Sequence, residues 1–302
     1  MPLTLLLFLC ITGKGQELFI NAMPASTLAK GVWSYRFALE TFNDETVRRY
    51  WGGLRLMYGL TSNFMLIATT SISNHHLKKF PKNPWVYFSN HHNTSFNRNY
   101  PLEYDGVHLY GQYRIFKNDQ QNGHLRIAAF GEASYTNAPH DEAEANLMGD
   151  NAGLGGGFII TKLVQRFAFS GKVGLIYPFT YKEKAADLTF RSGNSRYILF
   201  SSGYLLYPGK YTSYSNLNIN LYLEALYKEY DEGVLTVQGK YAFINNFFYL
   251  RQGRYLELRP GIQFILNSKS RIDISVAYPV YGNTFIRIDP TLNFAFQKYL
   301  FK

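Results

Sequence analysis

The sequence predicts an all-β chain: a transmembrane, antiparallel, up-and-down β-barrel of 12–14 strands following a cleaved signal peptide. Three observations predict it. Hydrophobic alternation of period two runs along almost the whole chain, in segments of about 11 to 15 residues, where a soluble strand needs ~5–6 and a tilted membrane strand ~9–11. Aromatic residues make up 17% of the 302 residues, with 25 Tyr and 24 Phe; the apolar ring and polar tip of Tyr suit strands and water–membrane boundaries. Connections alternate short and long, as barrel turns and outer loops do.

The elements follow in order. Leu3 to Ile11 is an apolar run, L-T-L-L-L-F-L-C-I, followed by T-G-K-G-Q. It is too short to span a bilayer as a helix and has the length of a signal-peptide core, with Gly13 and Gly15 as the small residues before a cut at Gln16. Residues 1–15 are therefore expected to be leader and 16–302 the barrel. Cys10 is the only cysteine. Leu9 stands where a lipoprotein signal wants a small residue, which argues against lipidation. Past the leader no thiol remains for a disulfide or a cysteine metal site.

In the first strand Trp33, Tyr35, Phe37 and Leu39 share one face and Ser34, Arg36, Ala38 and Glu40 the other. Leu54, Leu56, Tyr58 and Leu60 then oppose Gly53, Arg55 and Gly59; Phe64, Leu66, Ala68 and Ile72 oppose Thr69, Ser71 and Ser73. The pattern recurs near 107–115, 125–135, 167–175, 217–227, 235–243, 256–266 and 272–278. Thirteen segments satisfy it. A barrel with both termini on one side needs an even number, so either N-N-F-F-Y-L (245–250) is a fourteenth strand or two segments are not independent. Residues 61–63, 118–123, 164–166 and 267–270 read as tight turns, and 74–104, 138–152 and 181–194 as long loops. The chain ends F-A-F-Q-K-Y-L-F-K, with Leu292, Phe294 and Phe296 alternating and Phe301 next to last, close to the terminal aromatic of outer-membrane barrels.

The net charge of +10 comes from Lys and Arg spread singly along the chain. That spread argues against a nucleic-acid surface. No later segment carries the ~18 apolar residues of a transmembrane helix.

The stretches G-D-N-A-G-L-G-G-G-F (149–158) and L-R-P-G-I-Q-F-I-L-N-S-K-S-R-I-D-I-S-V-A-Y-P-V-Y-G (258–282), with the leader and the alternation, resemble Gram-negative outer-membrane barrels. The resemblance is to those grouped as transporter-like or related to the phenol-degradation meta-pathway outer-membrane protein. It implies a bacterial outer-membrane location, lipid as surroundings and passage of small or hydrophobic compounds. It supplies no catalytic motif and names no partner membrane protein.

Charges concentrate on the face opposite the aliphatics. Arg36, Arg55, Arg114, Arg126, Lys172, Lys240 and Arg259, with Glu40, Glu132, Glu224, Glu257 and Asp273, are the expected lumen-lining residues. A lipid-facing Arg or Lys near midplane would cost ~2–4 kcal/mol, so this parity belongs to a barrel. Small residues on the same face (Gly53, Gly59, Ala128, Ser170, Gly174) leave room for a wet pore that passes small solutes; the alternative is a plugged lumen of mutually neutralising pairs, in a barrel that binds metal or a partner through its loops.

The motif S-N-H-H occurs at 73–76 and again at 89–92. Imidazoles bind Zn²⁺ and Cu²⁺, so His75, His76, His91 and His92 are the candidate metal ligands; the plain alternative is a polar loop. The acidic loop P-H-D-E-A-E-A-N-L-M-G-D (139–150) offers His140, Asp141, Glu142, Glu144 and Asp150 to Ca²⁺, or is simply solvated. No resident cofactor is expected. G-L-G-G-G (153–157) precedes no helix and reads as close strand packing, not as a nucleotide loop. His108 and Ser134 face inward on neighbouring strands, but no Ser–His–acid spacing stands out, and no catalysis is expected.

Overall fold

The computed structural model describes residues 19–44, 47–76, 100–120, 123–184, 187–208, 217–242, 248–282 and 290–301. The proposed leader therefore lies outside the described residues, as do His91 and His92.

Sixteen strands are described. Twelve close a barrel: β1 (Trp33–Asp44), β2 (Val47–Gly59), β3 (Phe64–Ser73), β4 (Glu103–Gln120), β5 (Gly123–Thr136), β6 (Gly153–Val164), β7 (Phe167–Pro178), β10 (Ser195–Tyr207), β11 (Asn218–Tyr230), β14 (Gly253–Leu266), β15 (Ser270–Gly282) and β16 (Thr291–Leu300). Each pairs antiparallel with its neighbours along the chain, and β1 closes on β16 with Trp33 opposite Leu300. The strand count falls within the expected 12–14.

The remaining four, β8 (Tyr181–Glu183), β9 (Leu188–Arg191), β12 (Val234–Val237) and β13 (Lys240–Tyr241), form a separate sheet from two loops. This corrects the expectation for 235–243. Leu235 is buried with Leu188 and Phe190 on one face of that sheet. Period-two alternation reports one covered face; here the cover is protein, not lipid. Lys240 is thereby removed from the lumen and stands exposed on β13. Phe248–Leu250 is a 3-10 turn, and 243–247 lie outside the described residues, so no fourteenth strand is described there.

The two ends of the barrel differ. The turn end carries the connections 60–63, 165–166 and 267–269; β1 begins and β16 ends there. Gln165, Asn267 and Ser268 take positive φ (53°, 51° and 51°), which lets the chain reverse within two or three residues. The loop end carries 74–76, 100–102, 137–152 and the extra sheet.

The wall sorts by parity. Leu54, Leu109, Val173 and Leu223 stand exposed on the outside, and aromatic residues fringe both rims: Trp33, Tyr58 and Phe167 at the turn end, Tyr50, Tyr135 and Tyr177 at the loop end. Trp33 and Tyr58 sit 4.4 Å apart across the β1–β2 pair. Phe167 and Tyr177 are ten residues apart on β7; at ~3.3 Å per residue and a membrane tilt they bracket the ~25 Å apolar band of such barrels.

Candidate functional site: the barrel lumen

The inward residues include an apolar cluster and a polar network. On β2 to β6, Met57, Met65, Ile67, Tyr110, Ala128, Phe130 and Ile159 form one apolar cluster. Across from them, β1 and β11 to β16 carry a polar network. Arg36 Nη1 lies 2.8 Å from Asp273 Oδ2 and Arg271 Nη2 lies 2.9 Å from the same oxygen. Gln263 Nε2 donates to Asp273 Oδ1 at 2.8 Å, and Arg259 Nη2 pairs with Glu257 Oε2 at 2.6 Å.

The space between is filled by the chain itself. Residues 19–30 run across the turn-end half of the lumen without strand structure, and Phe19, Ala22, Met23, Ala25 and Leu28 are buried there. The segment is fixed by side chains reaching its backbone. Glu224 accepts from Asn21 N and Ala22 N, each at 3.1 Å. Thr161 Oγ1 accepts from Ala25 N at 2.8 Å, Gln112 Nε2 donates to Pro24 O at 2.9 Å, and Arg36 Nη2 donates to Ile20 O at 2.8 Å. Two glycines make the passage: an added Cβ at Gly59 would lie 2.1 Å from Ala29 O, and one at Gly261 2.5 Å from Ile20 Cδ1.

The loop 138–152 fills the other end. Ala143, Ala145, Leu147 and Asp141 are buried. Lys228 Nζ donates to Glu144 Oε1 and to Ala145 O, both at 2.6 Å, and Tyr255 Oη donates to Glu144 Oε1 at 2.7 Å. His140 Nδ1 lies 3.1 Å from Glu142 Oε2. Burial opposes charge on His140, but Glu142, Asp141 and Asp150 outweigh it and hold its pKa up at about 9.

A twelve-stranded closed barrel with an apolar outer belt and an inner plug is now in view. No family model matches the chain, and no curated protein matches it by sequence. Among solved structures, the COG4313 outer membrane channel from Pseudomonas putida F1 superimposes with a TM-score of 0.57 at 10% identity, over 93% of this chain and 100% of that one. The fold is that of an outer-membrane channel. The NanC porin is a more distant neighbour, with a TM-score of 0.46 at 10% identity over 89% of this chain and 99% of that one.

Eleven of the twelve residues expected to line the lumen sit at inward positions of barrel strands, Lys240 being the exception. They are not equivalent. Arg36, Glu224, Glu257 and Asp273 are buried in the networks above. Arg114 and Arg126 lie at the turn end: Arg114 Nη2 donates to Ser62 O at 2.9 Å, and Arg126 holds Asp119 at 2.8 Å and Ser26 Oγ at 2.7 Å. His108 Nε2 lies 2.9 Å from Glu132 Oε2. Glu40 is half-buried on β1. Arg55 and Lys172 are half-buried in mid-lumen.

The small inward residues do not leave open water. The Trp51 ring lies over Gly53, the Tyr197 ring over Gly174, and Ser170 Oγ donates to Met23 O at 3.4 Å. Glu132 occupies the place a side chain on Gly155 would take, which accounts for part of the G-L-G-G-G run.

The two loops singled out for metals meet: the His76 and His140 rings are 4.7 Å apart at 88°. His75 instead packs edge-on against Phe42 at 5.0 Å. Among the described residues no group of three or more His, Cys, Asp or Glu is placed to hold a metal ion. The acidic loop is not solvated; Glu142 faces His140, Glu144 faces Lys228, and Asn146 Nδ2 donates to Asp150 Oδ2 at 2.9 Å. His108 and Ser134 are register partners, but Ser134 Oγ donates to Asn151 O at 2.5 Å, and His108 serves Glu132.

The sequence reading missed Lys228 and Arg271, both buried and inward, and the plug formed by 19–30. Parity along β11 and β15 could have found the two cations. The plug gave only a weak signal, a stretch without alternation ahead of β1.

Proposed function

We propose that the protein is a bacterial outer-membrane transporter for small solutes, of the transporter-like kind its sequence resembles, whose lumen is closed at rest by residues 19–30 and by loop 138–152. One observation carries this reading: among the described residues, the bonds that hold 19–30 to the wall run through side chains, and the segment joins no strand ladder. Individual bonds of this type contribute about 0.5–3 kcal/mol each. Such a segment can leave while the barrel's own hydrogen-bond ladders stay whole. A wall that sets an apolar cluster beside charged groups suits a solute that is part apolar and part polar. The reading is non-catalytic.

Planar-bilayer recording tests it. The full chain should show rare, brief openings. Deletion of residues 19–30, alone and combined with Glu144→Ala to loosen the loop, should give steady stepwise conductance. Silence from the folded double variant would sink transport and leave a permanently plugged binding barrel, the competing reading.

A further inference from the structure

Most cations of the lumen are matched by an acid. Arg36 and Arg271 share Asp273, Arg259 has Glu257, and Lys228 has Glu144. Two are not. Lys172 on β7 makes no ion pair or hydrogen bond among the described residues; its Nζ lies over three ring faces, 4.1 Å from the Phe130 centroid and 5.3 Å from those of Tyr110 and Tyr197. Among the described residues Arg55 on β2 has a single polar contact, Met23 Sδ at 3.9 Å. Glu132 and Arg55 both lie within electrostatic reach of Lys172. Both keep accessible surface although they stand inside the barrel.

Their position is between the two plugs. Met23, against Arg55, belongs to the segment below; Tyr197 packs both on the cluster that contains Met23 and on the one that contains Leu147 of the loop above. Two cations without an ion pair, with one carboxylate in reach that His108 also holds, leave a positive excess inside the barrel; such an excess is costly, and its retention marks a ligand's place. Ring faces hold an ammonium by its positive field and leave its N–H groups turned away to meet acceptors.

We infer that Lys172 and Arg55, with the rings of Tyr110, Phe130 and Tyr197, form a binding site for a monocarboxylate with an apolar, aromatic-sized body. The carboxylate bridges the two cations and the body lies among the rings. Glu132, held by His108 at 2.9 Å, adds a fixed negative charge nearby that disfavours a dianion such as phosphate. The transport reading supplies the site's use, but binding itself needs no transport.

Equilibrium dialysis of labelled benzoate against the full-length folded barrel in detergent tests the site. Saturable binding is expected, with benzyl alcohol and inorganic phosphate each competing at least about tenfold more weakly than unlabelled benzoate. Lys172→Met should lose about tenfold or more, the scale of one charge-assisted contact, and Lys172→Arg should stay within about threefold. If Lys172→Met fails the heat-modifiable mobility check for folding, Arg55→Met is read in its place with the same expected loss. The site is overturned if wild type shows no saturable binding up to ~10 mM, a range that reaches affinities as weak as millimolar. It is equally overturned if the folded charge-removed variant binds like wild type, or if benzyl alcohol or phosphate competes as well as benzoate. Dialysis and conductance fail separately: benzoate binding by a barrel that never conducts keeps the site and removes transport, and conductance without benzoate binding does the reverse.

Discussion

At the residue scale, single side chains fix each plug. Glu224 is fully buried and spends its carboxylate on Asn21 N, Ala22 N and Ser201 Oγ. Glu224→Ala therefore strands two backbone donors and should weaken the seating of 19–30 by about 2–4 kcal/mol. Faster protease cleavage within 19–30, with the barrel still folded, is the expected readout; unchanged cleavage would show that Glu224 does not anchor the segment. His140 gives a pH test. Its pKa of about 9 lies above the unfolded value of 6.5, so its contribution is fully present below about pH 6.5 and is lost as pH rises through about 9. Hydrogen exchange of loop 138–152 should accelerate between these limits, and His140→Gln should remove that step. That Glu224 and Asp273 turn inward was legible from strand parity. Which cation or amide each would meet was not, because the partners lie on strands or segments distant in sequence, as Glu144 and Lys228 do.

At the element scale, the same alternation serves two ends. In β4 and β7 it separates lipid from lumen; in β12 it separates the inner and outer faces of a loop sheet, and Lys240 was misplaced for that reason. The entry of the plug depends on a glycine. Gly59 donates to Val32 O at 3.0 Å and accepts from Gly31 N at 2.8 Å, while Ala29 O passes where a side chain would stand. Gly59→Val should push the chain off this path and raise single-channel open probability by about tenfold or more, corresponding to roughly 1.4 kcal/mol of lost seating. An unaltered current trace from the folded variant would contradict this.

At the scale of the whole molecule, the outside is a lipid surface. Leu109 is 55% exposed in the middle of β4, with Tyr104 and Tyr113 on the same face. Leu109→Arg should cost about 2–4 kcal/mol in a bilayer, measured by reversible unfolding from lipid vesicles, whereas the same change on the exposed loop sheet, Tyr241→Arg, should cost less than about 0.5 kcal/mol. Equal losses would mean that the belt does not meet hydrocarbon. The sequence by itself determined the architecture, because a strand's side chains alternate with period two whatever surrounds them, and long one-sided alternation has one stable solution in lipid, a closed barrel. It also determined which way Glu224 and Asp273 turn, though it misplaced Lys240 and missed Lys228 and Arg271. Only the tertiary structure decided that the lumen is filled, since 19–30 and 138–152 carry no periodic signal and are placed by contacts far apart in sequence: Ala22 with Glu224, Glu144 with Lys228. It alone left Lys172 and Arg55 without ion pairs among the described residues, because ion pairing depends on the register and closure of twelve strands, and no single strand encodes its neighbours.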